Sequence, residues 1–237
     1  MTEAFGLSDT GCVRTNNEDY YLLAPELGLY LLADGMGGAK AGERASQLAA
    51  NTVAEFFRQA SLKDSQALWE AMHKANLEVH TAANSDLTLE GMGTTLVAAL
   101  DVGEEVIIAS VGDSRAYLLA GESFAAVTQD QSWVNEVGRP LGLDEASLKR
   151  HPLRHVLTMA IGTGDRLVVN FYTVEWKQGA LLLLSSDGLH GVVSPEEMER
   201  TMREVYSTLE SKCRKLIQAA RDAGAPDNVT AVILKRK

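Results

Sequence analysis

Cysteine is scarce in this chain. Cys12 and Cys213 are the only two among 237 residues, they stand far apart, and no CxxC pair occurs. A disulfide framework is therefore not expected to hold the fold, and both residues read as buried thiols in a reducing compartment. Basic residues are few beside the acids. Lys and Arg number 22 against 32 Asp and Glu, a formal net charge of −10 with histidine neutral. Duplex nucleic acid needs a basic face to meet its phosphates, so that class of partner is excluded. Long apolar runs are missing as well. None approaches the ~18 residues of a membrane helix, and the longest, such as 180–184, suit buried strands. The opening MTEAFGLSDTG has no basic head followed by an apolar core, so no secretory signal is read. A soluble cytoplasmic protein that touches no membrane is the expectation.

What the chain does have is a hydrophobic fraction of 46%, enough for a substantial core and too much for a disordered chain. No internal repeat and no low-complexity linker interrupts it, so residues 1–237 read as a single domain. Strands are expected at 4–9, 20–24 and 29–33. Ala45, Leu48, Ala49, Thr52, Val53, Phe56 and Phe57 then recur at helical spacing, predicting a helix near 41–59. A second helix carries Leu68, Ala71, Met72, Ala75, Val79 and Ala82 on one face. Strands return at 94–100, 106–110, 116–119 and 124–127, and again near 166–175 and 180–186. Between them, 129–163 is irregular, broken by Gly138, Pro140, Gly142 and Pro152; such long loops are usually lids or mobile segments. Ser194-Pro195-Glu196-Glu197 announces a helix, with Ser194 as cap and Glu197 completing a capping box. Leu209, Cys213, Leu216, Ile217 and Ala220 mark another, stopped by Gly224 and Pro226, before a last strand at 229–234. Helices thus come in two pairs among more numerous strands. Continuous apolar strands suit a parallel sheet as well as a buried antiparallel one, so pattern alone leaves the topology open.

The surplus of acids has two explanations, a solvated surface or carboxylates gathered around cations. Four aspartates decide where to look. The apolar strand at 29–33 ends in Asp34-Gly35-Met36-Gly37-Gly38, the one at 106–111 in Gly112-Asp113-Ser114-Arg115, and the one at 181–186 in Asp187-Gly188, while Asp227-Asn228 opens the last strand. Any one Asp-Gly is an ordinary turn dipeptide. Four beside nearly all-apolar strands can be brought to one point by a sheet, where they would repel one another unless cations neutralised them. Carboxylate oxygens suit Mg²⁺ or Mn²⁺ rather than Zn²⁺. Near the N-terminus, Arg14-Thr15-Asn16-Asn17-Glu18-Asp19 adds a guanidinium whose planar fork fits a phosphate, with two acids beside it.

In their order, RTNNED, DGMGG, MGTT (92–95), GDSR, SSDGL and DN, these strings resemble those of the metal-dependent protein phosphatases of the 2C type, in a bacterial-like single-domain form. The resemblance runs from Arg14 to Asn228. It implies an α+β fold, a four-layer α/β/β/α sandwich of two antiparallel sheets between helix pairs, with a flap at about 129–163. It also implies hydrolysis of phosphoserine and phosphothreonine in proteins. By similarity Asp34 bridges two Mn²⁺ or Mg²⁺ ions, with the Gly35 carbonyl on one and Asp187 and Asp227 on the other. Glu18 and Asp19 would act through water, Arg14 would bind the substrate phosphate, and Asp113 with Asp187 would hold a third ion. Two ions ~3.5–4 Å apart make hydroxide available near neutrality, so a bridging hydroxide would attack phosphorus with no phosphoenzyme formed. The implied partners are phosphoproteins, those of a cognate Ser/Thr kinase, and the implied state is a monomer.

Two departures from the pattern stand out. Met36 occupies the place where many members have a histidine proposed as general acid. Asp130-Gln131-Ser132 replaces Asp-His-Ser at the start of the flap, which leaves the local structure there in doubt. Other features read as structural. His151 and His155 are spaced i, i+4, but Pro152 between them argues against a zinc site. His73, His80 and His190 read as lone structural residues. DGMGG lacks the GxGxxG spacing and the Gly-Lys-Ser/Thr ending of nucleotide-binding loops. Trp69, Trp133 and Trp176 are expected to pack, with Trp133 able to reach substrate from the flap.

Overall fold

Strands that are apolar on both faces need a cover on either side. Here that cover is a second sheet on one face and helices on the other. The computed structural model describes residues 2–37 and 41–237; Gly38, the last glycine of DGMGG, lies outside the described residues. One sheet has the strand order β1 (Thr2–Asp9), β11 (Val229–Arg236), β10 (Leu181–Ser185), β7 (Arg115–Ala120), β8 (Ser123–Ala126). The other runs β2 (Asp19–Ala24), β3 (Leu29–Met36), β5 (Leu96–Asp101), β6 (Glu105–Val111), β9 (Asn170–Glu175), with the short β4 (Gly93–Thr94) pairing the end of β3. Each of these pairings is antiparallel. The parallel alternative left open by the strand pattern therefore falls.

Alternation within single strands builds the layers. On β10, Leu182 and Leu184 face Tyr30, Leu32, Val97 and Val232 between the two sheets. Leu183 points the other way, into a cluster with Met198, Cys213, Leu216 and Ile233 under α5 (Pro195–Met202) and α6 (Leu209–Asp222). On β3, Leu31 turns from the inter-sheet layer toward Val53, Phe57, Leu68 and Met72 of α1 (Ala41–Gln59) and α2 (Ser65–Ser85). The result is the α/β/β/α sandwich. No helix among the described residues is long and apolar enough to cross a membrane.

Several local expectations are corrected. β3 continues through Asp34, Gly35 and Met36, because β4 pairs Gly35 with Thr94; Asp34-Gly35 is strand and not a turn. Asp187-Gly188 likewise opens a single helical turn, α4 (Asp187–His190). Ser194 Oγ accepts from the Glu197 N–H, but the Glu197 carboxylate pairs with Arg200 instead of returning to the cap. Cys12 is exposed, and only Cys213 is buried. Trp176 packs in the inter-sheet layer and Trp133 stacks on His151, whereas Trp69 is 43% exposed and stacks on His73. The 129–163 segment is not featureless. It contains a π-type turn (Val134–Gly138) and α3 (Glu145–Arg150), and bridges Ser132 to Leu157.

Candidate active site

Antiparallel register carries distant acids to one end of the sandwich. Ser185 pairs with Arg115 on one side and Ala231 on the other, so Asp113, Asp187 and Asp227 all lie just beyond the same end of the sheet. In the facing sheet, Asp19 and Asp34 are directly paired. Two glycines let the pieces close. A side chain at Gly35 would collide with the Gly42 and Glu18 carbonyls, and one at Gly188 with the Asn228 carbonyl.

Around the acids is a supporting lattice of hydrogen bonds. The Asp34 N–H donates to Thr95 Oγ1 (3.0 Å) and the Thr94 hydroxyl donates to the Asp34 carbonyl (2.9 Å). Asn228 Oδ1 accepts from the Glu18 N–H (2.8 Å), while its amide donates to the Thr10 and Asn16 carbonyls. Asn228 thereby binds the RTNNED loop to the last strand. Asp19 lies buried behind the cleft, where Ser186 (2.8 Å) and Thr230 (2.6 Å) both donate to its Oδ2. Its Oδ1 is buried and, among the described residues, has no hydrogen-bond partner. These supporting residues were not singled out from sequence. Their signals, MGTT, SSDGL and DN, were in view, but a hydroxyl's partner 61 residues away is a matter of register.

The acids face a cleft of about 850 Å³, lined by Arg14, Glu18, Asp34, Gly35, Asp113, Asp187 and Asp227. Of the expected site residues, only Asp19 is outside that lining. Crowding makes the site electrostatically unhappy. Burial first, then the charges of Asp19, Asp187, Asp113 and Asp227, hold the Asp34 carboxyl well above the usual carboxylate range. Burial and Asp227 push Asp187 upward, against the pull of a hydrogen bond from Asp34. Burial and Asp187 push Asp113 to about 7. Asp19 is raised to about 7 by burial, despite its two hydroxyl donors. Among the described residues Arg14 answers this charge by direct contact: its Nη2 lies 2.7 Å from Asp227 Oδ2.

The donor set fits hard divalent cations. It is all oxygen, it is negative in excess, and it includes the buried Asp19 Oδ1, which has no partner among the described residues. The acids ring the cleft rather than closing into a cage: among the described residues no three Asp, Glu, His or Cys side chains are already drawn together as ligands. His151 stacks on Trp133 and accepts from the Leu153 N–H.

The start of the 129–163 segment is clamped to this centre. Arg115, two residues beyond Asp113, donates to both oxygens of Asp130 at 2.7 Å. Gln131, the departure that left this stretch in doubt, is buried. Its Oε1 accepts from the Gly112 N–H (2.9 Å) and its amide donates to the Val168 carbonyl (3.0 Å). A side-chain amide thus supplies the donor and acceptor that this junction uses.

Comparison with known proteins agrees with the geometry. The profile of the family described as "Protein phosphatase 2C" matches residues 13–220. The serine/threonine phosphatase stp of Listeria innocua is 32% identical over 97% of this chain and 94% of its own length. Protein phosphatase PhpP of Streptococcus pneumoniae is 34% identical over 96% and 95%. Among solved structures, the catalytic domain of the serine/threonine protein phosphatase PstP, crystallised with two manganese ions, superimposes with a TM-score of 0.87. It is 31% identical, and the match covers 99% of this chain and 97% of that one.

Proposed function

This chain belongs to the protein phosphatase 2C family, and on that premise we propose that it removes phosphate from phosphoserine and phosphothreonine in proteins with the help of divalent metal ions. The observation that carries the reading is the meeting of Asp34, Asp113, Asp187 and Asp227 with Arg14 around one cleft. Relatives named serine/threonine phosphatase, and one solved with manganese, support the substrate class and the metal.

Asp34, the Gly35 carbonyl, Asp187 and Asp227 would hold two Mn²⁺ or Mg²⁺ ions, with Glu18 and Asp19 acting through water and Asp113 with Asp187 holding a third. When bound, such ions supply an activated water as nucleophile near neutral pH and offset charge on the phosphoryl oxygens. The chain's residues do the rest. Arg14 lies at the cleft wall with a fork of N–H donors that matches two phosphoryl oxygens. Thr94 and Thr95 fix the backbone of Asp34, so its carboxylate is held before substrate arrives. The substrates would be phosphoproteins made by a Ser/Thr kinase.

The test is phosphate release from a phosphothreonine peptide by the purified chain. Turnover with Mn²⁺ that stops on adding EDTA is expected. Absence of turnover under both conditions, or turnover indifferent to EDTA, would sink the reading.

A further inference from the structure

Breaking an alkyl phosphate leaves an alkoxide, which needs a proton as the P–O bond breaks. The cleft's acids are occupied with cations in the reading above, and Arg14 does not give up its proton at any ordinary pH. Position 36, on the cleft lining, is a methionine with no proton to give. Thr95 Oγ1 is engaged with the Asp34 N–H and with Ser114. Histidine is the side chain that carries a transferable proton near neutrality, and the chain has five.

Four of the five are committed elsewhere. His73 bonds the Trp69 carbonyl and stacks on that indole. His80 lies against the Gly162 carbonyl and Asp165. His151 accepts from Leu153 and stacks on Trp133. His190 meets Ser185 in the interior. His155 is different: it lines the cleft and is exposed, and among the described residues its ring makes no hydrogen bond or ion pair. It is near enough to Asp187 for its charge to favour that carboxylate. The backbone around it is fixed, because the Val156 N–H donates to the Leu153 carbonyl (3.0 Å) and the Val156 carbonyl accepts from Trp133 (2.8 Å). The imidazole therefore lines the cleft from a stretch of chain whose backbone is anchored, with no partner among the described residues to engage its ring nitrogens.

We propose that His155 donates the proton to the departing seryl or threonyl oxygen. The inference rests on the phosphatase reading. A water oxygen bonds to phosphorus and the P–O bond to the side chain breaks. The departing electron pair takes the imidazole N–H proton, while the proton lost by the attacking water passes to solvent. The ring then takes a proton back from solvent, so one water is consumed and the products are the alcohol and phosphate.

His155→Asn, compared with wild type on two substrates, tests this. p-Nitrophenolate is stable as an anion near neutrality and leaves without a proton; a threonyl alkoxide does not. With Mn²⁺ present, kcat on a phosphothreonine peptide should fall about a hundredfold with KM within about twofold, while kcat on p-nitrophenyl phosphate falls no more than about threefold. Equal losses on both substrates, loss on neither, or a rise confined to KM would each overturn the proposal. A wild-type chain inert toward both substrates would instead remove the phosphatase reading beneath it. His155 is exposed, so the substitution should leave the fold intact, and an unchanged melting temperature checks it.

Discussion

The Asp34 carboxyl sits where its own charge is least welcome, half-buried at the cleft and facing four other acids. Arg14 stands against one of them, Asp227, which the reading above assigns to metal. One guanidinium therefore has two suitors, that carboxylate and a substrate phosphate. Replacing Arg14 with alanine removes a charged hydrogen-bond donor worth about 1.5–3 kcal/mol, so KM for a phosphopeptide should rise by roughly tenfold to a hundredfold with a smaller change in kcat. Calorimetry should show Mn²⁺ binding as tightly as in wild type, or more tightly, because a competitor for Asp227 has gone. Loss of Mn²⁺ binding would mean Arg14 has been misassigned. At this scale the sequence was most legible: an arginine and acids next to strands announce their chemistry by residue type. Thr95, Ser186 and Asn228 did not, because a hydroxyl or amide gains its role only from the carboxylate or loop that folding sets against it.

Among the elements, helices were read more faithfully than strand ends. The apolar stripe of α1 predicts its 41–59 span because each buried residue contributes to one face. The end of β3 misleads because Asp-Gly is turn chemistry locally, while pairing with β4 keeps it extended. The capping box was half right: the cap bond forms, but Arg200 offers Glu197 a charged partner that a backbone N–H cannot match. The flap was read as irregular, and its regularity lies in its anchors. The Arg115–Asp130 pair has side chains 31% and 13% exposed, so it is well shielded from solvent. Asp130→Asn should weaken the two-pronged contact and cost about 2 kcal/mol, visible as a lower melting temperature. Hydrogen exchange should quicken across 130–160 while β10 and β11 stay protected. Uniform exchange change across the sandwich would show that the pair is not a flap anchor.

For the molecule as a whole, the four-layer arrangement depended on the resemblance. Apolar strands state that both faces are covered, and not by what. The net charge of −10 is partly explained by the acids of the cleft, with the others on an ordinary surface. Their raised positions make stability depend on pH. Asp19 and Asp113 are pushed by burial from the ordinary carboxylate range to about 7, with Asp34 and Asp187 also raised. The folded chain therefore holds protons that the unfolded chain has already released. The stability these protons confer is fully present below about pH 4 and is lost as pH rises through about 7. In EDTA the melting temperature should fall between about pH 5.5 and about pH 8, and Mn²⁺ should raise it most at the upper end, where the carboxylates are ionised. A curve that is flat in EDTA over that window would contradict this account of the acids.

The most direct test of the central claim, that acids gathered at the strand ends form the working metal centre, is phosphate release by Asp34→Ala from a phosphothreonine peptide at saturating Mn²⁺. Turnover should drop on the order of a thousandfold or more, with the fold retained because a carboxyl crowded by other acids has been removed. Near-wild-type turnover would contradict the claim.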